Sequence, residues 1–181
     1  TNWCTYDLSV VDTETGVEER RIDIGRFPRG IAVTSDGSKA YIAVMGSTDI
    51  AVVNLDDYSL SWFNGVGGSP RHVVLSPDDA FLYVTLNRDG RIAKVDTATG
   101  EVVATVATGA KPRSMAIADD GGSLYVVNYD DNTVSKVTTA DMAEVQELAV
   151  GYHPIGITYD AAEGNVWVAN YGGSISVLAD R

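Results

Sequence analysis

The chain has 181 residues, of which 45% are hydrophobic and 21% charged, a composition typical of a globular domain with a substantial apolar core. Its 25 acidic and 13 basic side chains give a formal net charge of -12, which disfavours binding to nucleic acid and to anionic membrane surfaces. A single cysteine, Cys4, excludes an internal disulfide, and no apolar run is long enough to predict a transmembrane segment.

The sequence is organised in repeats of 42 residues. A Gly-x-x-Pro motif recurs four times at this spacing without insertion or deletion, and an aromatic position recurs with the same period. The glycines are Gly25, Gly67, Gly109 and Gly151, the prolines are Pro28, Pro70, Pro112 and Pro154, and the aromatic residues are Tyr41, Tyr83, Tyr125 and Trp167. A fixed period of this length indicates a stack of similar supersecondary units.

Each repeat is predicted to contain four short strands. In the first complete repeat these are Ile31 to Thr34, Ala40 to Met45, Ile50 to Leu55 and Leu60 to Phe63, which are rich in Val, Ile, Ala and aromatic residues. The second strand is apolar at successive positions, so both faces of each sheet need to be covered. We therefore predict an all-β fold, a β-propeller of four-stranded antiparallel blades with about four 42-residue repeats.

The predicted chain is a single propeller domain or a partial propeller. Its units are three repeats and two partial blades, near residues 25–66, 67–108, 109–150, 1–24 and 151–181. An open arc of blades leaves apolar faces uncovered at both ends, so we expect an arc of a larger propeller, closed by further blades of the same chain. Two alternatives are a four-bladed ring, in which residues 6–24 complete the blade begun by residues 154–170, and a closed pair of arcs from two copies.

Several motifs resemble those of the YVTN-repeat propellers, a family named after its Tyr-Val-Thr-Asn motif. Residues 83–85 carry three letters of this motif, with Leu86 in place of its asparagine, and residues 125–128 and 167–170 are close variants. Residues 109–113 and 95–100 look like the strand-opening and turn motifs of the family. The resemblance covers nearly the whole chain, and it implies a propeller that is extracytoplasmic: periplasmic, secreted or on the cell surface.

Three arginines are candidate ligand-binding residues. Arg29, Arg71 and Arg113 each follow a repeat proline at the start of the predicted innermost strand, so we expect them to converge near the mouth of the central channel. Guanidinium groups gathered in this way suit a carboxylate or phosphate ligand. The alternative is that each arginine pairs with an aspartate of a neighbouring blade, such as Asp89 or Asp130, and holds the blades together.

Trp3, Tyr129 and Tyr171 occupy equivalent repeat positions and are predicted to lie on the same face as the arginines. Aromatic rims of this kind bind sugars, peptides or apolar ligands, although packing between blades also explains them. His72 and His153 are not at equivalent repeat positions, and we interpret them as satisfied loop histidines rather than haem ligands. The Asp-rich turns lack the ligand spacing of a calcium loop, so no metal site is predicted.

No nucleophile elbow, zinc-binding helix motif or phosphate-binding loop is present in the sequence. We therefore expect a non-catalytic binding or scaffold propeller, without a cofactor, that presents a ligand-binding or protein-binding face at the channel mouth. Its expected partners are a protein, a small anion or a carbohydrate-like ligand, together with the blades or second copy that close the ring. The alternative, from the resemblance, is part of a propeller enzyme: a lactonase-like hydrolase or a haem- or quinone-linked oxidoreductase.

Overall fold

The computed structural model describes residues 1–180, which form seventeen strands and no helix. The strands make five antiparallel sheets, numbered here as blades 1 to 5 in chain order. Blade 1 consists of β1 (Asp7–Val11) and β2 (Glu18–Asp23). Blade 2 consists of β3 (Pro28–Val33), β4 (Lys39–Val44), β5 (Ile50–Asn54) and β6 (Leu60–Phe63), and blade 3 of β7 (Pro70–Leu75), β8 (Phe81–Leu86), β9 (Arg91–Asp96) and β10 (Val102–Ala107). Blade 4 consists of β11 (Pro112–Ile117), β12 (Ser123–Asn128), β13 (Thr133–Thr138) and β14 (Ala143–Ala149), and blade 5 of β15 (Pro154–Asp160), β16 (Asn165–Asn170) and β17 (Ser174–Ala179).

Blades 2 to 4 are four-stranded meanders in which each strand pairs with the next along the chain. The first strands of successive blades, β3, β7, β11 and β15, contact one another and form the inner side of the stack. These strands begin at the repeat proline, three residues before the start predicted at Ile31. The register of β3 against β4 shifts between Pro28 and Ile31. The apolar pattern that begins at Ile31 therefore predicted only the second half of β3.

The core consists of apolar layers between neighbouring blades. Four clusters of buried side chains each join one blade to the next. Tyr41 of blade 2 and Val73 of blade 3 are both 2% exposed in one such layer, and Tyr83 and Met115 meet in the following one. Burial of side chains of this size contributes about 1.5–3 kcal/mol each. The prediction that the sheets are covered on both faces is confirmed for β4, β8 and β12.

Blade 5 differs from the blades before it. Trp167 on β16 is 41% exposed, whereas Tyr41, Tyr83 and Tyr125, at the same repeat position, are at most 3% exposed. β17 pairs with β16, and β1 and β2 form a separate sheet, so the place next to β16 is not taken by residues 6–24. The four-bladed ring considered from the sequence is therefore not the arrangement in the structure.

Each Gly-x-x-Pro link is held by two backbone hydrogen bonds to the segment that follows the second strand of its blade. In blade 3 the N–H of Asn87 donates to the carbonyl oxygen of Ser69 at 3.1 Å, and the N–H of Arg88 donates to that of Gly68 at 3.2 Å. Blades 2, 4 and 5 repeat this pair of bonds. The links and the residues after the aromatic strand therefore lie at the same end of the stack.

The residue before each repeat proline has a positive φ. The angles are 59° at Phe27, 56° at Ser69, 56° at Lys111 and 51° at His153. This backbone region disfavours residues that carry a Cβ. The two hydrogen bonds of each link hold the chain in this conformation, so strain is stored at the end of the stack where the arginines lie.

Replacement of Lys111 by glycine should relieve this strain. Lys111 is exposed, and glycine adopts a positive φ without a Cβ clash, so we expect the free energy of unfolding to rise by about 0.5–1 kcal/mol after the added entropy of the unfolded chain is subtracted. The matched control is Ala110→Gly, at a neighbouring position without a positive φ, which should lose about 0.5–1 kcal/mol. Urea unfolding measures both changes. Equal losses in the free energy of unfolding in the two variants would contradict the inference that the backbone of Lys111 is strained.

Candidate functional site

An open cleft of about 460 Å³ lies at the end of the stack where the innermost strands begin. Arg29, Arg71 and Arg113, the second residues of β3, β7 and β11, all line this cleft. The three arginines therefore converge as the repeat predicts. They do so because residues at the same repeat position on successive blades lie at the same end and depth of the stack. Trp3 and His72 also line the cleft.

The cleft is strongly cationic. Burial, followed by the charges of Arg113 and Arg29, lowers the pKa of Arg71 to about 10. Burial and then the charge of Arg113 also hold the pKa of Arg29 below its usual value. No acidic residue lines the cleft, and within residues 1–180 none of the three guanidinium groups forms an ion pair. Positive charge is thus concentrated at one site of a chain whose net charge is -12.

The predicted alternative, in which the arginines pair with Asp89 or Asp130, is wrong. The Asp89 carboxylate accepts a hydrogen bond from the backbone N–H of Gly68 at 2.6 Å, and Asp131, one repeat later, accepts one from Ala110 at 2.6 Å. These carboxylates satisfy backbone donors of the Gly-x-x-Pro links, and Asp89 pairs in addition with Arg88, which does not line the cleft, so neither carboxylate neutralises the cleft. Asp130 has no ion pair with any of the residues that the structure describes.

Each guanidinium group rests on a neutral side chain. The contacts are Arg29 Cζ at 4.3 Å from the ring centre of Trp3, Arg71 Nη1 at 3.5 Å from Met45 Sδ, and Arg113 Cζ at 3.5 Å from the ring centre of Tyr129. Aromatic faces attract guanidinium groups without removing their charge or occupying their N–H donors. Trp3 and Tyr129 therefore orient Arg29 and Arg113 without occupying their donors, whereas one donor of Arg71 makes a weak hydrogen bond to Met45 Sδ.

Arg113 contacts its own blade, whereas Arg29 and Arg71 contact the blade before. Asn87 is the blade 3 residue at the repeat position of Met45, the residue that contacts Arg71. The side chain of Asn87 is buried, however, and its amide donates to the carbonyl oxygen of Pro112 at 3.0 Å. Because this place is taken by a polar contact, Arg113 lies over Tyr129 instead.

Three buried polar atoms around the cleft lack a hydrogen-bond partner within residues 1–180: Nε of Arg29, Nε of Arg113 and Nδ1 of His72. Polar atoms buried in proteins are rarely left without a partner, and each costs about 1–3 kcal/mol when they are.

His72 was interpreted from the sequence as a satisfied loop histidine, and this is wrong. It lies on β7 and lines the cleft, its backbone N–H donates to Thr85 Oγ1 at 3.0 Å, and its Nδ1 atom is buried without a hydrogen-bond partner. The available signal was its place directly after a cleft arginine, a position filled by Gly30 and Ser114 in the blades on either side.

The predicted aromatic residues divide into two groups. Trp3 and Tyr129 contact the cleft arginines, whereas Tyr171 is 65% exposed and meets Tyr129 edge-on, with ring centres 6.3 Å apart. His153 stacks between Tyr129 at 4.1 Å and Tyr152 at 3.7 Å, and Tyr152 is 62% exposed. Tyr152 and Tyr171, called here the aromatic rim, therefore lie beside the cleft on the same face.

Comparison with known sequences gives two partial matches. Residues 71–154 match the family model described as the Cytochrome D1 heme domain, which is rather less than half of the chain. A segment of 48 residues, 26% of this chain, is 38% identical to Antigen Lp49 of Leptospira interrogans, and it spans 10% of that protein.

Two solved structures are similar over almost the whole chain. Kuenenia stuttgartiensis hydrazine synthase superposes with a TM-score of 0.66 at 17% identity, covering 98% of this chain and 78% of that one. Virginiamycin B lyase from Staphylococcus aureus superposes with a TM-score of 0.76 at 13% identity, covering 99% of this chain and 64% of that one. Identities this low establish the fold alone. The predicted β-propeller fold is thus confirmed, and the central segment of the chain is similar to a haem-domain family of that fold.

Proposed function

We propose that this chain is a YVTN-type binding propeller, extracytoplasmic and non-catalytic, whose axial cleft holds a small anion with carboxylate or phosphate groups. The observation that carries the proposal is the convergence of three partly buried arginines from three blades without a carboxylate to neutralise them. The aromatic rim beside the cleft supplies flat contact area for the body of a carbohydrate-like or aromatic ligand.

Binding of an anion would be favourable for two reasons. Arginine forks donate paired hydrogen bonds to carboxylate and phosphate oxygens, and each hydrogen bond to a charged group is worth about 1.5–3 kcal/mol. The anion also offsets the mutual repulsion of Arg29, Arg71 and Arg113, which burial strengthens. The free protein therefore carries an electrostatic cost that the complex does not.

Thermal unfolding with succinate or phosphate tests this function. A ligand at a hundred times its dissociation constant stabilises the folded state by about 2.7 kcal/mol, which raises the Tm by several degrees. Sodium chloride at the same ionic strength is the control for screening, and the double variant Arg71→Ala, Arg113→Ala should lose the response. If succinate, phosphate and chloride shift the Tm equally, the cleft is not an anion site.

A second candidate, haem binding, is favoured by the match of residues 71–154 to the Cytochrome D1 heme domain. The residues present fit in part: burial and the charge of Arg71 lower the pKa of His72, which leaves a neutral imidazole able to ligate iron, and the arginines suit haem carboxylates. Bound haem would supply one-electron redox chemistry. Titration with haemin separates the two functions, since only a haem site changes the haemin absorption spectrum in a way that His72→Ala removes and His153→Ala does not.

A further inference from the structure

Two of the layers between blades contain a lysine ammonium group that reaches from one blade to the next. Lys94, on β9 of blade 3, donates to the carbonyl oxygen of Thr139 in blade 4 at 3.0 Å, and its Nζ atom lies 4.1 Å from the ring centre of Phe81. Lys136, at the same repeat position on β13, donates to the carboxylate of Asp180 in the layer between blades 4 and 5. An ammonium group held by an oxygen atom of the following blade is thus a recurring feature of the stack.

The layer between blades 2 and 3 lacks this ammonium group. The residue one repeat before Lys94 is Val52, which is buried beside a cavity of about 250 Å³, called here the interblade cavity. Thr97, one repeat before Thr139, also lines the interblade cavity. The N–H and the hydroxyl group of Thr97 donate to carbonyl oxygens of the preceding turn, whereas its own carbonyl oxygen has no donor within residues 1–180. The acceptor is therefore present and its ammonium partner is missing.

The walls of the interblade cavity suit an ammonium group with an alkyl chain. Tyr41 and Phe63 line it with their ring centres 5.7 Å apart, and Val52 adds an apolar side chain. Aromatic faces attract ammonium groups, and burial of the alkyl chain is favourable. Burial, followed by the negative charges of Asp79 and Asp36, raises the pKa of Tyr41, so two carboxylates contribute a negative potential at this wall.

Lys39 also lines the interblade cavity and opposes the binding of a cation. It occupies the repeat position of Phe81, the ring on which Lys94 rests, and Phe63 supplies an aromatic ring in its place. Lys39 is exposed at the beginning of β4, so water and salt screen much of its charge. We therefore expect Lys39 to weaken the binding of a cation without preventing it.

We propose that the interblade cavity binds a small, unbranched primary ammonium ion, which donates to the carbonyl oxygen of Thr97 and packs its alkyl chain against Val52 and Tyr41. The ligand occupies the place that the side chains of Lys94 and Lys136 fill in the two following layers. The interblade cavity shares no lining residue with the axial cleft, so this site does not depend on the proposed anion-binding function.

The probe is n-butylammonium, because it has the alkyl chain and the ammonium group of a lysine side chain. In an NMR titration of the wild-type protein it should shift the backbone amide signals of Ser61, Thr97 and Ala98, which line the interblade cavity. A dissociation constant of about 1–10 mM is expected for a ligand of five non-hydrogen atoms. n-Butanol, which has the same chain without the charge, should bind at least about tenfold more weakly. Sodium chloride at equal ionic strength controls for screening of the acidic surface.

Two substitutions have opposite expected effects on this binding. Val52→Lys supplies the ammonium group from within the chain, as Lys94 does one repeat later, and should abolish the shifts. Lys39→Met removes the opposing charge and should strengthen binding about 2- to 5-fold. The matched control for Val52→Lys is Val103→Lys, which adds the same charge at an exposed position outside the interblade cavity and should keep the wild-type affinity.

Shifts that persist in Val52→Lys, or that n-butanol produces at the same concentration, overturn the proposal. A wild-type protein that shows no shift at these amides up to about 100 mM n-butylammonium also overturns it. If Val52→Lys does not fold, the comparison of n-butylammonium with n-butanol in the wild-type protein decides alone. None of these outcomes affects the anion site, because succinate and phosphate are tested on different residues.

Discussion

Replacement of Gly30 by alanine is expected to lower the free energy of unfolding by about 2–3 kcal/mol, a large effect for a single methyl group. A Cβ atom at this position would lie 2.8 Å from the Cα of His72, 3.0 Å from the nitrogen of Val73 and 3.1 Å from the carbonyl oxygen of Arg71. These are backbone atoms of β7, so the clash cannot be relieved by a rotamer change. The innermost strands of blades 2 and 3 would have to separate.

The repeat provides a matched control for this variant. Gly156 occupies the same repeat position on β15, but a Cβ there would meet only the Cβ of Ala169, at 3.6 Å, an ordinary contact. Gly156→Ala should therefore be neutral or stabilising by up to about 1 kcal/mol, because alanine reduces the entropy of the unfolded chain. Urea unfolding compares the two variants, and equal stability changes would mean that the close approach of β3 to β7 is not what requires glycine.

Gly30→Ala should also weaken the response to anions. Gly30 lies next to Arg29 in the cleft lining, and a displacement of β3 from β7 moves Arg29 away from Arg71. The Tm increase with succinate should thus be smaller in Gly30→Ala than in Gly156→Ala. This comparison separates the geometry of the cleft from the overall stability of the stack, because each variant is measured against its own ligand-free Tm.

The fold could be predicted from the sequence because the repeat has no insertions. Pro28, Pro70, Pro112 and Pro154 begin the innermost strands, so a single period locates the first strand of every full blade and of blade 5. The same reasoning placed the three arginines together, since equivalent residues of stacked blades lie at the same end. Membership of the YVTN-repeat family remains a prediction.

The details of the cleft could not be predicted because they depend on contacts between different repeats. The contact of Arg113 with Tyr129 follows from the amide of Asn87, which bonds a carbonyl of the next blade. Asp89 bonds the backbone of Gly68 and pairs with its neighbour Arg88, choices that the sequence does not distinguish from an ion pair with an arginine of the cleft. Side-chain partners of this kind are decided by local geometry rather than by residue type.

Replacement of Arg71 by methionine is expected to change ligand binding and stability in opposite directions. The positive charges of Arg113 and Arg29 repel that of Arg71, so removal of the Arg71 guanidinium group relieves repulsion in the ligand-free protein. Methionine keeps most of the apolar stem that packs in the cleft. We expect the ligand-free protein to gain up to about 1 kcal/mol of stability, a value reduced for the partial exposure of the guanidinium group.

The affinity of the same variant for succinate or phosphate should fall by about 10- to 100-fold, because a central pair of charge-assisted hydrogen bonds is lost. Arg71→Lys keeps the charge but loses the fork, and its affinity should lie between those of the wild type and Arg71→Met. Arg91→Met removes an exposed arginine outside the cleft and controls for net charge.

Calorimetry and thermal unfolding of the four proteins measure both quantities. A destabilised Arg71→Met that retains its affinity would show that Arg71 holds the blades together and does not bind the anion. If Arg71→Met is instead more stable without ligand and has lost its affinity for the anion, the cause is different. The folded wild-type chain then contains an unfavourable cluster of positive charge that only an anion offsets. Binding sites are where proteins keep unfavourable charge arrangements of this kind.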